Sequence, residues 1–303
     1  MSQVEIVEVG PRDGLQNEAI TLSIDNRVEL IARLGQAGVR TIEVGSFVRP
    51  DRIPQMADSE AVFVATSNLG FDQRICLVPN LKGLETARRS GVRDIAVFVA
   101  TSETFNLRNT NCSVEEGLNK AELVVKISKE NGMKVRAYVS TVVGCPYEGK
   151  TKVADVVRIS ERLFNMGCDE ISLGDTIGIG KPSEIKNVLT AVRNAIPVER
   201  LAFHGHDTYG MGLANALVAI NCGVRRIDAS IGGLGGCPFG GARAKGNLAT
   251  EDLVYALGQS EFRFPPNLSA LIDISWWLAE RVGHDPRSAV ALAAFASRIG
   301  RNH

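Results

Sequence analysis

The segment EISLGDTIGIGKPSEIKNVLTAVRNAIPVERLAFHGH (170–206) decides the fold. Two short strand-like runs, EISLGDT (170–176) and RLAFHGH (200–206), flank PSEIKNVLTAVRNAIP (182–197). The apolar residues of this middle stretch recur at the i, i+3, i+4 and i+7 positions of an amphipathic helix. A strand, a helix and a second strand in succession are typical of a parallel sheet.

The same alternation runs through most of the chain. Eight runs read as strands: 4–9, 41–46, 74–79, 94–100, 134–141, 170–176, 200–206 and 226–232. Six stretches between them have helical periodicity: 28–39, 81–92, 114–133, 153–168, 182–197 and 212–224. Eight strand–helix units over about 260 residues are what a closed α/β barrel requires, so we predict a (β/α)8 TIM barrel.

The alternative is a doubly wound open sheet, which would place a glycine-rich dinucleotide loop after its first strand. That position holds GPRDGLQNE (10–18), which lacks the G-x-G-x-x-G pattern. Beyond residue 258 the pattern changes to two apolar helical segments. We therefore predict a catalytic barrel over residues 1–258 and accessory C-terminal helices of the same domain over residues 259–303.

Composition narrows the class of function. Lys plus Arg equals Asp plus Glu, 34 each, which predicts no general attraction to nucleic acid or to a membrane surface. No run approaches the roughly 20 apolar residues of a membrane span. Six cysteines without a C-x-x-C pair, and no signal-like N-terminus, favour a cytoplasmic protein. The apolar stretches ISWWLAE (274–280) and AVALAAFA (289–296) indicate subunit contacts, so we expect a homodimer or a higher homo-oligomer.

Two of the four histidines lie in FHGHD (203–207), at the end of the seventh predicted strand. Residues two apart in a strand point the same way, so His204 and His206 should both face the barrel interior. A lone buried histidine is usually a hydrogen-bonded core residue. A pair at the catalytic end of a barrel, with Asp13 after the first strand, favours a metal site instead.

Other polar residues fall at the same end of the predicted barrel. Glu43, inside the second strand, needs a cationic partner, and Arg12 is the nearest candidate, although Arg12 could instead form a surface pair with Asp13. Asp175 follows the sixth strand and could be a catalytic carboxylate or a helix N-cap. Cys237 lies in a glycine-rich stretch that could close over a substrate, or it could be an inert small hydrophobe.

The possible ligands bear on the identity of the metal. Oxygen atoms of Asp13 and Asn247 with two imidazoles, and no thiolate, suit Mg²⁺ or Mn²⁺ with positions left open for a chelating substrate. Zn²⁺ would more often recruit a cysteine or a third imidazole, so we rank it behind the other two.

Long motifs closely resemble those of the 3-hydroxy-3-methylglutaryl-CoA lyase family, which belongs to the TIM-barrel metallolyase superfamily that includes the isopropylmalate synthases. The resemblance extends nearly from the start of the chain to residue 258. It is carried by EVGPRDGLQNE (8–18), IEVGSFV (42–48), PQMAD (54–58), GCPYEGK (144–150), SLGDTIGIG (172–180), HGHDTYGMGLAN (204–215) and GGLGGCPFG with GNLATEDLVY (232–255).

The resemblance implies a role for each matching residue. The metal ligands would be Asp13, His204, His206 and Asn247. Arg12 would steady an enolate, Cys237 would be the catalytic cysteine of a mobile loop, and acidic residues would support the site: Glu8, Glu43 and Asp175. The implied reaction is cleavage of the C2–C3 bond of hydroxymethylglutaryl-CoA to acetoacetate and acetyl-CoA. Either Asp13 or His204 could take the hydroxyl proton.

The chain also departs from the family pattern near the expected substrate entrance. The spacing between Cys237 and Asn247 is one residue longer than usual, with Arg243 and Lys245 where small neutral residues are common. SFVRPDRIPQMAD (46–58) and TFNLRNTNC (104–112) also differ from the family. Three alternatives therefore stay open: a lyase or aldolase for another hydroxy acid or acyl-CoA, a Claisen-type acyltransferase, and a binding protein without catalysis.

Overall fold

The computed structural model describes residues 3–235 and 245–299. Its eight main strands pair in parallel and close into one barrel. They are β1 (Glu5–Glu8), β2 (Thr41–Ser46), β3 (Gln73–Leu77), β4 (Asp94–Ala100), β5 (Lys134–Ser140), β6 (Glu170–Asp175), β7 (Leu201–Gly205) and β8 (Arg226–Ala229). Neighbours in sequence are neighbours in the sheet, and β8 returns to β1 with Glu5 opposite Arg226. The predicted (β/α)8 barrel is confirmed, and the open sheet is excluded.

Helices surround the barrel. They are α1 (Ile24–Gln36), α2 (Ser59–Ala65), α3 (Leu81–Arg89), α4 (Glu103–Thr110), α5 (Val114–Glu130), α6 (Val153–Asn165), α7 (Pro182–Val192), α8 (Gly212–Asn221), α9 (Thr250–Leu257), α10 (Leu268–Val282) and α11 (Ala289–Ile299). The six predicted helices are confirmed. Helices α2, α4 and α9 were not predicted, because seven or eight residues give too few turns for a clear apolar period.

Short elements connect this framework. A π-helical turn spans Gly10–Gly14, and five 3₁₀ turns span Leu15–Asn17, Pro54–Met56, Val198–Arg200, Ile231–Gly233 and Gln259–Glu261. A two-stranded hairpin pairs Gly144–Cys145 with Gly149–Lys150. The first turn and the turn after β8 matter most below, because they hold the candidate site.

The barrel interior holds an apolar cluster and a polar sector. The apolar cluster combines aliphatic side chains near β1, β3 and β4 with one aromatic ring of β5: Val7, Val9, Ile75, Leu77, Ala96 and Tyr138. The polar sector is carried by β5 to β8, with the buried side chains Arg136, Glu170, Ser172, His204 and Asp228. The outward faces of all strands pack against the helices in one large core. A buried polar sector needs internal partners, since each unpaired polar group would cost free energy.

The C-terminal helices pack on the outside of the barrel. Helix α10 lies against α1 and α9, and α11 lies against α10 and α9. The Trp276 ring stacks on Phe295 with centroids 4.0 Å apart, and Ile274 and Leu278 are buried. Much of the ISWWLAE surface that the sequence assigned to subunit contacts is therefore covered within the chain, whereas Leu292 and Phe295 of α11 stay exposed. Within the described residues, none of the helices has both the length and the hydrophobicity needed to cross a bilayer.

Candidate active site

The turn after β1 places Arg12 and Asp13 at the carboxyl end of the barrel. A buried carboxylate, Glu8, holds this turn: its Oε1 accepts from the backbone N–H of Gly10 at 2.8 Å and of Ile231 at 2.9 Å. Its Oε2 accepts from the Thr250 hydroxyl at 2.6 Å. Burial raises the pKa of Glu8 to about 7, against these three hydrogen bonds. Glu8 thus ties the end of β1 to the turn after β8 and to α9.

Arg12 lies between two carboxylates. Its Nε and Nη2 lie 2.7 and 2.6 Å from Glu43 Oε2, and its Nη1 donates to Asp13 Oδ1 at 2.7 Å. Only 5% of Arg12 and none of Glu43 is exposed. The predicted pairing of Glu43 with Arg12 is confirmed, and the surface-pair alternative for Arg12 is excluded by this burial.

The two histidines of the HGH motif point into the barrel side by side. Their Nε2 atoms are 3.2 Å apart, and both residues are buried. A side chain on Gly205 between them would press against Phe203, because a Cβ there would lie 2.8 Å from its ring. Asp13 Oδ2 is 3.9 Å from His204 Nε2, and one ligand atom each of Asp13, His204 and His206 lie within 4.8 Å of one another. These three residues could hold a metal ion.

Asn247 completes this group. It forms an isolated antiparallel bridge with His206, and its Nδ2 donates to Asp13 Oδ2 at 2.8 Å and to the Leu234 carbonyl at 3.0 Å. The amide oxygen of Asn247 is buried and has no hydrogen-bond partner among the described residues. An unpaired buried oxygen beside a carboxylate and two imidazoles fits a ligand for a divalent cation.

The ionisation of the three candidate metal ligands Asp13, His204 and His206 differs. Burial alone would raise the pKa of Asp13, but Arg12 and the two histidines lower it to about 2, so the carboxylate is ionised. Burial and the neighbouring His204 lower the pKa of His206 to about 4, so this imidazole is neutral near pH 7. Burial also acts to lower the pKa of His204, but Asp228 and Asp13 outweigh it and raise the pKa above its ordinary value.

Asp228 on β8 is a site residue that the sequence analysis missed. Its Oδ2 lies 3.1 Å from His204 Nδ1 and accepts from the Ser172 hydroxyl at 3.0 Å, while its Oδ1 accepts from Arg136 at 2.5 Å. Within RIDASIG (226–232) the alternation of Arg226, Asp228 and Ser230 put polar side chains on one face, and a buried charge in a strand was the available signal.

Asp175 ends β6 and is buried. Its Oδ2 accepts from the Gly180 N–H at 2.9 Å, and burial raises its pKa to about 6 against the hydrogen bonds from this turn. Helix α7 begins at Pro182 with Lys181 as its N-cap, so Asp175 closes the turn before the helix and does not cap it. The N-cap alternative was therefore wrong in detail.

The glycine-rich stretch is described only at its ends. Cys237 and Arg243 lie outside the described residues. Lys245 is described, and its ammonium pairs with Asp207 Oδ2 at 2.9 Å. Asp207 directly follows the HGH motif, and its N–H donates to the Gly246 carbonyl at 2.7 Å. The unusual lysine therefore fastens the end of this stretch to the loop after β7.

The other unusual segments carry charge at the surface. Arg49 pairs with Asp51 at 2.6 Å, with both side chains exposed. In TFNLRNTNC, the Arg108 guanidinium lies 4.3 Å from the centroid of the Tyr147 ring. Neither contact involves Asp13, His204 or His206.

The chain is similar to one protein family along most of its length. Residues 3–277 match the HMGL-like protein family. The mitochondrial hydroxymethylglutaryl-CoA lyase of Bos taurus is 45% identical over 291 residues, which cover 96% of this chain and 89% of that protein.

Two solved structures are similar along almost their whole length. The hydroxymethylglutaryl-CoA lyase from Pseudomonas aeruginosa has a TM-score of 0.93 at 42% identity, covering 97% of this chain and 98% of that one. An HMG-CoA lyase from Acinetobacter baumannii, solved with coenzyme A and 3-methylmalate, has a TM-score of 0.90 at 36% identity, covering 96% and 95%. The chain belongs to the HMGL-like family, among relatives that are hydroxymethylglutaryl-CoA lyases.

Proposed function

We propose that this protein is a carbon–carbon lyase that splits 3-hydroxy-3-methylglutaryl-CoA between C2 and C3 into acetoacetate and acetyl-CoA. The observation that carries the proposal is the convergence of Asp13, His204, His206 and Asn247 beside Arg12 at the carboxyl end of the barrel. Full-length similarity to hydroxymethylglutaryl-CoA lyases supports the same reaction.

Asp13, His204, His206 and Asn247 would hold one divalent cation, and their oxygen and imidazole atoms favour Mg²⁺ or Mn²⁺ over Zn²⁺. When bound, such a cation would lower the pKa of a chelated hydroxyl and offset the negative charge that develops on the oxygens of the substrate. The ionised state of Asp13 and the neutral state of His206 both suit this role.

Arg12 would stabilise the departing enolate. A guanidinium has five N–H donors, and the contacts with Glu43 and Asp13 engage one on each of its three nitrogens. One N–H on Nη1 and one on Nη2 therefore remain for the thioester oxygen, which becomes negative as the C2–C3 bond breaks. Because Glu43 and Asp13 fix the guanidinium before substrate binds, little reorganisation is needed.

Asp13 and His204 are the two candidates for the base that removes the 3-hydroxyl proton. His204 has its Nδ1 against Asp228, and its Nε2 faces the candidate metal ligands, so neither nitrogen would be free. Asp13 Oδ1 accepts from Arg12 and Gln16, and its Oδ2 accepts from Asn247, so one of its four lone-pair positions is left. Its pKa of about 2 also makes it a weak base. Either residue would therefore have to give up a partner to take the proton.

Cleavage leaves the two electrons of the C2–C3 bond on the acetyl-CoA fragment, and C2 must then gain a proton to form a methyl group. We assign this proton to the thiol of Cys237, as the family resemblance implies. After product release, the proton taken from the 3-hydroxyl would pass from the base through water to the Cys237 thiolate, which restores both groups. Glu43 and Asp175 would act on the reaction through the residues that they contact.

The substrate class is proposed from the relatives. The Acinetobacter baumannii lyase binds coenzyme A, which favours an acyl-CoA here. Lys245 and the Arg49 segment favour the alternative of another hydroxy acid or acyl-CoA cleaved by the same chemistry. A homo-oligomer and a cytoplasmic location stay predictions.

The test is turnover of a panel of substrates by the purified protein loaded with Mg²⁺ or Mn²⁺. We expect acetoacetate and acetyl-CoA from hydroxymethylglutaryl-CoA, and no release of CoA from acetyl-CoA with a 2-oxo acid. Chelation of the metal should abolish turnover, and adding it back should restore turnover. Cleavage of only a different hydroxy acid would replace the proposed substrate, and full activity after chelation would overturn the mechanism.

A further inference from the structure

Asp228 contacts His204, one of the two histidines of the site, through the ring nitrogen Nδ1. We propose that Asp228 is a positioning residue that holds His204 as the tautomer with its proton on Nδ1 and its lone pair on Nε2, facing the cation site. The inference deepens the proposed function and rests on it for the identity of the site. It makes the two imidazoles unequal, because only His204 is backed by a carboxylate.

The hydrogen bonds of Asp228 fix the direction of the proton. Oδ1 accepts a hydrogen bond from the Arg136 guanidinium at 2.5 Å, and Oδ2 accepts one from the Ser172 hydroxyl at 3.0 Å. A carboxylate paired with arginine is ionised and can only accept hydrogen bonds. The 3.1 Å contact between Oδ2 and His204 Nδ1 therefore requires the proton on Nδ1. The lone pair of His204 is left on Nε2, which is 3.9 Å from Asp13 Oδ2.

Asp228 cannot turn away from His204 easily. Arg136, which holds it, also pairs with Glu170 at 3.0 Å, and Glu170 pairs with Arg226 at 2.6 Å. Arg226 in turn lies 3.2 Å from Glu5 on β1. These ion pairs run down the interior of the barrel away from the cation site. They anchor the carboxylate on the side opposite to the imidazole.

His206 has no equivalent support. Its Nδ1 is buried and has no hydrogen-bond partner among the described residues, while its Nε2 faces His204. The other partners of a metal-binding imidazole fix its tautomer and ring orientation, and their loss commonly weakens metal binding about 10- to 100-fold. We therefore expect metal affinity to depend on Asp228 through His204 alone.

The first test reads the tautomer directly. The chain has four histidines, so long-range ¹H–¹⁵N spectra of ¹⁵N-histidine-labelled protein contain few signals, and the variants His204→Gln and His206→Gln assign two of them. Spectra of the full chain, without metal at alkaline pH and with Mg²⁺, should show His204 with a protonated Nδ1. A His204 ring protonated on Nε2 in the metal-free protein would overturn the proposal.

The second test uses Asp228→Asn with Asp94→Asn as its matched control. Asp94 is a partly buried aspartate on β4 that accepts a hydrogen bond from Gln73 at 3.3 Å, far from the site. In Asp228→Asn, Arg136 should donate its hydrogen bond to the new amide oxygen, so the NH₂ group faces His204 Nδ1. A donor at this place favours the tautomer of His204 with its proton on Nε2. Mn²⁺ affinity measured by electron paramagnetic resonance should fall about 10- to 100-fold, against less than about twofold in the control.

A folded Asp228→Asn protein with the wild-type Mn²⁺ affinity would overturn the proposal. If this variant does not fold, the wild-type spectrum decides alone. The wild-type lyase assay separates this inference from the proposed function. Inactive wild-type protein with the expected tautomer and metal affinities would reject the function only, whereas an active protein with His204 protonated on Nε2 would reject the inference only.

Discussion

Replacing Arg12 with lysine keeps the positive charge of the site but removes its planar fork of donors. Arg12 contacts Glu43 through Nε and Nη2 and Asp13 through Nη1. The single ammonium of a shorter-reaching lysine can serve at most one of these carboxylates well. Losing charge-assisted hydrogen bonds of about 1.5 to 3 kcal/mol each, beside the fully buried Glu43, should lower the free energy of unfolding by about 2 to 4 kcal/mol.

The effect on turnover has a separate origin. The two N–H groups of Arg12 that remain for the enolate oxygen disappear, and removal of such a donor costs about 3 to 4 kcal/mol in the transition state. We therefore expect kcat for the Mg²⁺-loaded enzyme to fall roughly 10² to 10³-fold, with a smaller change in KM.

The matched control is Arg33→Lys, the same change at an exposed pair with Glu29 on α1. Thermal unfolding and steady-state kinetics of both variants, at saturating metal, make the comparison. Arg33→Lys should stay close to wild type in both assays. If Arg12→Lys keeps kcat within about tenfold of wild type while it is folded, the role given to the guanidinium fork is refuted.

Three further predictions concern the same site. Asn247→Ala removes the unpaired amide oxygen, so the affinity for Mn²⁺ should fall about tenfold or more. Titration calorimetry measures this, with Asn119→Ala on α5 as the control. Equal affinities of the two variants would remove Asn247 from the ligand set. Because the pKa values of Asp13 and His206 are lowered to about 2 and about 4, whereas that of His204 is raised, only His204 must lose a proton when metal binds near pH 6.5. Metal affinity should therefore weaken as the pH falls through the His204 pKa, with about one proton released per cation. Calorimetry in buffers of different ionisation enthalpy measures the number of protons released. Two protons released per cation would contradict the prediction. Cys237→Ser should leave metal affinity intact and lower kcat, and unchanged turnover would remove Cys237 from the mechanism.

The sequence predicted those parts of the site that follow from short-range geometry. The two-residue period of a strand placed His204 and His206 on one side, and the parallel strands of a barrel brought them to the end where Asp13 lies. The cost of an unpaired buried charge predicted the pairing of Glu43 with Arg12. A few residues, their positions on the strands and a general rule were enough in both cases.

Partnerships across the barrel could not be predicted in the same way. Asp228 is 24 residues from His204 and 92 from Arg136 along the chain, and the pattern of β8 alone does not select either partner. The choice depends on the register of β7, β8 and β5 around a closed barrel, which is set by the whole sheet. Lys245 could be recognised as unusual, but nothing in its neighbouring sequence selects Asp207, 38 residues away, as its partner.

The cation site is built from segments that are distant in sequence but fixed by buried carboxylates. Glu8 binds the turn that carries Arg12 and Asp13 to the turn after β8. Glu251 accepts from the Gly232 N–H at 3.0 Å and from the Ser275 hydroxyl, which fastens that second turn to α10. The remaining ligands follow from β7 and from its bridge to Asn247. Because hydrogen bonds within the protein hold every segment, the ligands converge before a cation arrives, and metal binding need not drive folding as it does in small zinc domains. The accessory α10 thus contributes to the active site by supporting the turn from which the glycine-rich stretch departs.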